Sequence, residues 1–273
     1  MSNEKFSVSM CVYGENNPKW FKTAVESVLN QTIKPDEIVL VVDGPVPDDL
    51  AKIISFYEEQ SEFNVIKLPE NLGHGEARRI GLENCSNELV ALMDADDISV
   101  ENRFEIQLKM FNDFPELSVV GGNITEFIDS PENIVGKRIV PENDIEIKEY
   151  MKKRCPMNQV TVMFKKSLVD KAGGYIDWFC EEDYYLWLRM SFEGMLFANV
   201  PQNLVNVRVG EDMYNRRGGM EYFKSEARLQ KYMLKNKVIG LGRFLVNITE
   251  RFIIQILLPN KLRGWVFKKF ARE

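Results

Sequence analysis

The sequence predicts an α/β protein built on a mixed, mostly parallel sheet flanked by helices. Two observations carry this. Through the first hundred residues strand-like apolar runs alternate with helical patterns, as βαβ units require. One of those runs, Leu89-Val90-Ala91-Leu92-Met93, stops abruptly at Asp94-Ala95-Asp96-Asp97, three carboxylates in four positions. In an open α/β sheet ligands bind beyond the carboxyl ends of the strands. The acidic cluster therefore stands where a ligand is expected.

The elements follow in order. Phe6 to Tyr13 reads as the first strand, and Trp20 to Asn30 as a helix with Phe21, Ala24, Val25, Val28 and Leu29 on one face. Glu37 to Val42 is a second strand, ending at Asp43-Gly44-Pro45. A helix from Asp49 to about Gln60 leads to a short strand at Asn64 to Leu68. Asn71 to Gly75 is a loop, Glu76 to Asn84 a helix, and Leu89 to Met93 the fourth strand. Beyond the acidic cluster come a helix near Arg103 to Asp113, a strand at Val119 to Phe127 and a polar loop over Asp129 to Asp144. A helix around Ile145 to Lys153, a strand at Thr161 to Phe164 and a short helix at Ser167 to Ala172 follow. Gly173-Gly174-Tyr175 is a turn, Glu182 to Phe192 a helix, and Asn206 to Gly219 a loop dense in Arg and Gly. Boundaries near residues 100 and 220 divide the chain into parts 1–100, 101–220 and 221–273.

With 273 residues the chain can bury a full core. The net charge of −6 argues against a general nucleic-acid binder, but it is unevenly spread. From Lys224 onward twelve Lys and Arg face three Glu, a net +9 that leaves −15 for residues 1–223. Cys11, Cys85, Cys155 and Cys180 lie far apart with no C-x-x-C pair, which indicates neither a zinc site nor a disulfide framework and suits a reducing cytosol. Met1 to Lys5 lack a secretory pattern. No apolar stretch approaches the roughly 18 residues of a spanning helix; the longest, Phe252 to Leu258, contains Gln255 and ends at Pro259.

Three strands end in candidate ligand groups: Tyr13 and Glu15 after the first, Asp43 after the second, and Asp94, Asp96 and Asp97 after the fourth. Carboxylates this close repel one another and call for a cation or a basic partner. Hard oxygen donors of this kind suit Mg²⁺ or Mn²⁺. A turn and helix cap would also explain aspartates here. His74 is the chain's one histidine, which excludes a multi-histidine metal site and a Ser-His-Asp triad. The glycines at 73 and 75 do not complete a G-x-G-x-x-G fingerprint, since position 78 is Arg.

These pieces together resemble the inverting glycosyltransferases of family 2, with the nucleotide-sugar-binding GT-A fold. The resemblance rests on Val8 to Gly14, Ser27 to Thr32, Val39 to Gly44, Asn71 to Gly81, Leu92 to Asp97 and Gly173 through Arg189, in family order over about the first 190 residues. It implies that residues 1–100 hold a UDP-sugar and 101–220 the acceptor. By the same resemblance Val12, Tyr13, Glu15, Asp43, Gly73, Arg78, Asp94, Ala95 and Asp96 bind the nucleotide-sugar, with Asp43 reading the uracil ring and Arg78 near the base and phosphates. Asp94-Ala95-Asp96 matches the D-x-D motif, so Asp96, assisted by Asp94, is the expected ligand of Mn²⁺ or Mg²⁺, with Asp97 the less certain member of the acidic cluster. The Glu181-Glu182-Asp183 segment matches the family's Glu-Asp motif. It implies Asp183 as catalytic base and Glu182 as its acceptor-binding neighbour. Tyr175, Trp178 and Phe179 just before it have rings suited to stacking on a sugar. Arg208, Arg216 and Arg217 resemble a C-terminal loop that closes over the donor, Arg216 and Arg217 being nucleotide-sugar-binding.

After Gly240 the tail sets Leu241, Phe244, Leu245, Ile248, Phe252 and Ile256 at helical spacing, complemented by Arg243, Arg251, Lys261, Arg263, Lys268, Lys269 and Arg272 and joined by Trp265. The pattern reads as an amphipathic helix on an anionic membrane surface; packing against the catalytic domain or a partner protein would also suit it. The expected enzyme thus extends a surface polysaccharide on a lipid-linked saccharide acceptor, from the cytoplasm and peripheral to the inner face of the cell membrane. A sugar nucleotidyltransferase is disfavoured because no Gly-rich, Lys/Arg-bearing triphosphate loop follows the first strand. A catalytically silent nucleotide-sugar or glycan-binding scaffold would be marked by loss of Asp96 or Asp183, and both are present.

Overall fold

The computed structural model describes residues 4–210 and 218–259. Its N-terminal half is a run of βαβ units: β1 Phe6–Tyr13, α1 Pro18–Leu29, β2 Glu37–Asp43, α2 Asp48–Glu58, β3 Phe63–Lys67, α3 His74–Glu83 and β4 Leu89–Asp94. Helix α1 starts where its sequence dictates. Asn17 accepts from the Lys19 and Trp20 amides, and Pro18 occupies the first helical position. Its inner face is Phe21, Ala24, Val25 and Val28, four of the five predicted residues.

The second half continues the same sheet. It comprises β5 Ile98–Ser99, α4 Arg103–Asp113, β6 Val119–Phe127, β7 Ile134–Arg138, α5 Asp144–Tyr150, a 3₁₀ turn Gln159–Thr161, β8 Met163–Lys165, α6 Lys166–Lys171, α7 Glu182–Phe192 and β9 Phe197–Arg208. Helices α8 Met220–Lys235 and α9 Leu241–Phe252, with a π-helical turn at Ile253–Leu257, close the described chain. Strand order is β3-β2-β1-β4-β8-β6-β9-β5, with β7 beside β6. Strands β1 to β4 pair in parallel. Strand β8 runs antiparallel to β4 and β6, and β6 pairs in parallel with β9.

Register places the candidate ligand groups. Tyr13 lies opposite Asp43, and Cys11 opposite Asp94, so the carboxyl ends of β1, β2 and β4 form one edge. Each face of the sheet carries its own core. One cluster holds Val8, Met10, Val12, Phe21, Ala91, Met93 and Phe104; the other holds Val39, Val90, Leu92, Trp187, Leu229 and Met233. Alternate residues of β4 feed the two clusters, as a strand covered on both faces requires.

Three strands depart from the sequence expectation, the first being β5, whose two residues directly after the acidic cluster are too few to show a pattern. β7 lies inside the stretch read as a polar loop, because Ile134 and Val135 are exposed and the strand is held by backbone pairing to β6 rather than by a buried face. β9 was not foreseen, because Pro201, Gln202 and Asn203 break its apolar pattern; the β6 register shifts around Asn123 to absorb them. His74 and Gly75 open α3 instead of belonging to the loop, with Gly73 at φ +90° as the capping residue.

Helix α9 is attached in an unusual sense. Its one buried residue is Asn247, whose amide donates to Gln230 Oε1 at 2.7 Å and to the Lys152 carbonyl at 2.9 Å. Arg251 pairs with Glu226 at 2.8 Å. Polar groups therefore face the body, while Leu241, Leu245, Val246, Phe252, Ile253 and Leu257 are exposed. Among the described residues no helix is long and apolar enough to cross a membrane.

Candidate active site

The four residues that end β4 and follow it occupy different environments. Asp94 and Asp96 are partly exposed, whereas Ala95 and Asp97 are buried. Asp94 Oδ1 pairs with Arg78 Nη2 at 2.6 Å. Burial alone would raise the Asp94 carboxyl, but the Arg78 guanidinium and His74 outweigh it and hold it below the usual carboxylate range. Asp97 goes the other way. Burial, followed by the charges of Asp96 and Asp94, pushes its carboxyl well above that range. It accepts the Arg208 amide at 2.8 Å, so it ties the end of β4 to the end of β9.

Arg208 is the last residue of β9 rather than part of a free loop, which corrects the expectation for it. Its guanidinium lies between the Trp20 and Phe127 rings, 4.7 and 4.6 Å from their centroids, and its Nε donates to the Asp96 carbonyl at 3.2 Å. Arg216 and Arg217 lie outside the described residues.

Asp43 is buried, and its two carboxylate oxygens accept the Leu72 and Gly73 amides at 2.7 and 3.1 Å. It pins the loop that opens α3. Gly44 at φ +84° lets the chain turn under this loop, since a Cβ there would stand 2.6 Å from the Asn71 nitrogen. Tyr13 reaches Glu15 with its hydroxyl at 3.5 Å. Val12 is fully buried in the core. Any ligand contact from it is confined to its backbone.

Arg78 is buried and links the two halves of the crevice. Its Nε donates to His74 Nε2 at 2.5 Å. That contact requires a neutral imidazole, and the guanidinium charge with burial pushes His74 down to about 4. Helix α3 approaches the start of α7 closely: a Cβ on Gly75 would meet Asp177 at 3.4 Å and Glu182 at 3.7 Å. The three acids of that start diverge, as successive residues opening a helix must. Glu181 is buried, and burial with Glu226 raises its carboxyl well above the ordinary range. Burial and the Asp183 charge push Glu182 up to about 7. Asp183 is raised by burial against the Tyr184 amide, Arg138 and Arg78, which favour its charged form. Its Oδ1 accepts the Tyr184 N–H at 2.6 Å, and Oδ2 lies 3.7 Å from Cys155 Sγ.

The aromatic expectation needs correction at Trp178. The ring is buried, lies 4.6 Å from Tyr185 and 4.2 Å from the Arg228 guanidinium carbon, and its Nε1 donates to the Ser225 carbonyl. Helix α8 covers it, so it is packing rather than a sugar platform. Phe179, 49% exposed, is the ring left open. Tyr175 is buried, but its hydroxyl has no hydrogen-bond partner among the described residues, and it senses Arg78, Asp183 and Glu182.

Sequence reasoning missed Arg103 and Gln159. Arg103 is fully buried beneath β4, donating to the Leu92 carbonyl at 2.8 Å and to Gln107 Oε1 at 3.0 Å, and burial pushes it down to about 9. The signal was weak: an arginine opening an amphipathic helix ordinarily faces solvent. Gln159 lies between Arg78 and Asp183, 3.0 Å from the guanidinium Nε and 2.9 Å from carboxylate Oδ2.

Among the described residues no group of three His, Cys, Asp or Glu could enclose a metal ion. Two carboxylates from one strand end still fit Mg²⁺ or Mn²⁺, which commonly takes one or two protein carboxylates and completes its shell with substrate phosphates and water. Asp94 and Asp96, partly exposed at this edge, are that donor set.

Comparison with known proteins agrees with this fold. The family model for Glycosyl transferase family 2 matches residues 7–172. An uncharacterized glycosyltransferase of Haemophilus influenzae is 40% identical over 98% of this chain and 100% of its own length. The UDP-Gal:alpha-D-GlcNAc-diphosphoundecaprenol beta-1,3-galactosyltransferase of Escherichia coli is 33% identical over 98% of this chain and 97% of its own. The crystal structure of S. aureus TarS 1-349 in complex with UDP-GlcNAc shares the fold, with a TM-score of 0.67 at 16% identity over 91% of this chain and 72% of that one.

Proposed function

Because the chain belongs to glycosyl transferase family 2, we propose that it is an inverting enzyme that moves a sugar from a UDP-sugar to a hydroxyl of a lipid-linked saccharide in surface polysaccharide synthesis. The observation that carries this is the position of Arg78. It pairs with Asp94 at 2.6 Å and acts electrostatically on both Glu182 and Asp183, so the acidic strand edge and the start of α7 face one crevice. The similarity to an enzyme named for a GlcNAc-diphosphoundecaprenol acceptor supports a lipid-linked saccharide here.

In this reading residues 1–100 hold the donor and residues 101–220 the acceptor. Asp43 and the loop it pins face the uracil, Tyr13 and Glu15 flank the base and ribose, and Arg78 lies near the phosphates. Asp183 takes the proton of the acceptor hydroxyl as its oxygen attacks C1 of the sugar, and the C1–oxygen bond to UDP breaks with its electron pair leaving on the diphosphate. Attack from the face opposite the leaving group inverts the anomeric centre. Mn²⁺ or Mg²⁺, held by Asp94 and Asp96 together with the diphosphate, would neutralise charge on the departing UDP. In the same reading Glu182 and the Tyr175 hydroxyl, which has no hydrogen-bond partner among the described residues, bind the acceptor.

The outward apolar face of α9 supports membrane attachment. Held to the body by Asn247 and Arg251, and by Gln255 of the π-helical turn that follows, this segment leaves Leu241, Leu245, Ile253 and Leu257 for another apolar phase. Basic residues on the same segment suit anionic lipid. This would place the enzyme peripherally on the membrane that carries its acceptor.

Calorimetry with UDP tests the donor site. Binding should weaken sharply when a chelator replaces Mn²⁺, and in Asp96→Ala. Equal affinity with and without the cation would remove the metal from this reading, and failure of UDP to bind under any condition would remove the donor assignment.

A further inference from the structure

The described residues join the two acidic centres of the crevice through a side chain that no motif singles out. Gln159 opens the 3₁₀ turn between α5 and β8. Its carboxamide stands 3.0 Å from Arg78 Nε and 2.9 Å from Asp183 Oδ2. Arginine carries only donors. The carboxamide oxygen must therefore face Arg78, which leaves the N–H to face the carboxylate; the orientation is assigned from these neighbours. The result is a continuous path: Asp94 Oδ1 to Arg78 Nη2 at 2.6 Å, Arg78 Nε, whose one N–H is shared between His74 and Gln159, and Gln159 to Asp183 Oδ2.

We propose that Gln159 is a positioning residue for the catalytic base, fixing Asp183 Oδ2 by an N–H it donates while Arg78 holds its carbonyl oxygen. This rests on the assignment of Asp183 made above. The other oxygen, Oδ1, is fixed by the Tyr184 amide at 2.6 Å. With Oδ2 accepting from both Gln159 and the Cys155 thiol and Oδ1 from the Tyr184 amide, the carboxylate cannot rotate, and one lone pair on Oδ1 remains for the acceptor hydroxyl. The donated N–H also favours the charged carboxylate, the form a base requires. Gln159 is suited to this because an amide offers one donor and one acceptor to opposite neighbours. A carboxylate at 159 would satisfy Arg78 but repel Asp183. The groups around Asp183 are Cys155, Arg138, Arg78, Tyr175, Glu181 and Glu182, of which Arg138, Arg78 and the hydrogen-bonding Cys155 thiol favour its charge and Tyr175, Glu181 and Glu182 oppose it.

The test is the pH dependence of transfer in the full chain, with Gln159→Leu and Gln159→Glu beside the wild-type protein. Both variants should bind UDP with unchanged affinity and lower kcat about 10- to 100-fold at neutral pH, within the range assigned to base catalysis. The acid limb of the kcat profile should move to higher pH, further for Glu than for Leu. Thermal melting followed by circular dichroism establishes that the variants fold; if Gln159→Leu does not, the isosteric Gln159→Glu decides alone. An acid limb that stays in place, whether or not kcat falls uniformly across pH, overturns the proposal. Absence of transfer by the wild-type protein with any donor and lipid-diphosphate saccharide would instead overturn the functional reading on which it rests.

Discussion

At the residue scale the crevice works by giving chemically identical groups different surroundings. Of the three aspartates after β4, Asp94 is charged by its contact with Arg78, while Asp97 is pushed towards neutrality by burial. At α7 burial raises both Glu182 and Asp183, and the Tyr184 amide and Arg138 favour the charged form of Asp183. Asp183→Asn should leave UDP affinity and melting temperature near wild type while turnover falls about 10²- to 10⁴-fold, the usual worth of a general base; steady-state rates with isothermal titration would show it. The mirror result, normal transfer by Asp183→Asn and none by Glu182→Gln, would move the base by one residue. Glu182 also makes a stability prediction. Its carboxyl is raised from 4.5 to about 7, so the folded state holds a proton that the unfolded chain has released. Stability from the neutral acid is complete below about pH 4.5 and is lost as pH rises through about 7. The melting temperature of the wild-type protein, measured relative to Glu182→Gln, should therefore fall between pH 5 and pH 8. A constant difference would show that Glu182 is charged throughout. His74 titrates with the opposite sign, but it is common to both proteins and cancels in the comparison.

At the scale of elements, legibility followed burial. β1, β6 and α7 were read with the bounds they have, because each is marked by a buried apolar run or by an acidic first turn that suits a helix N-terminus. β5, β7 and β9 were not: β5 has only two residues, β7 is held without a buried face, and Pro201 to Asn203 interrupt the apolar pattern of β9. The same distinction explains the site. Asp94, Asp96 and Asp183 stand at the ends of well-marked elements, whereas Gln159 acts from a 3₁₀ turn whose geometry no pattern announces. Trp178 shows the converse failure: an aromatic next to an acidic motif reads as a sugar platform, but α8 covers it. Trp178→Ala should cost about 3–5 kcal/mol in denaturant unfolding, as removal of a buried tryptophan does. Phe179→Ala should be within about 0.5 kcal/mol of wild type, as surface changes usually are, and should raise the KM for acceptor if this open ring contacts sugar. Equal stability losses at the two positions would contradict the assignment.

At the scale of the molecule, the uneven charge and the reversed polarity of α9 belong together. Residues 1–223 carry the negative charge and the rest of the chain the positive, and α9 within that basic part turns its apolar side outward. Replacing Leu241, Leu245 and Leu257 with Asp should leave UDP binding intact and abolish flotation with anionic vesicles, and high salt should weaken flotation of the wild-type protein, since each cation near the surface contributes about 1 kcal/mol. Flotation unaffected by either would show that the face packs on protein. One sheet runs from β3 through β4 to β9, and on the proposed reading the donor edge and the base share its crevice, as a single displacement requires.

The most direct test of that arrangement is transfer itself. The protein would be incubated with a panel of UDP-sugars, Mn²⁺ and a saccharide-diphosphate-lipid acceptor, and the product's anomeric configuration read by NMR. The account predicts that one UDP-sugar is consumed, that the new linkage has the anomeric configuration opposite to the donor's, and that Asp183→Asn forms none of it. A product that retains the donor's configuration, or one formed equally well by Asp183→Asn, would contradict it.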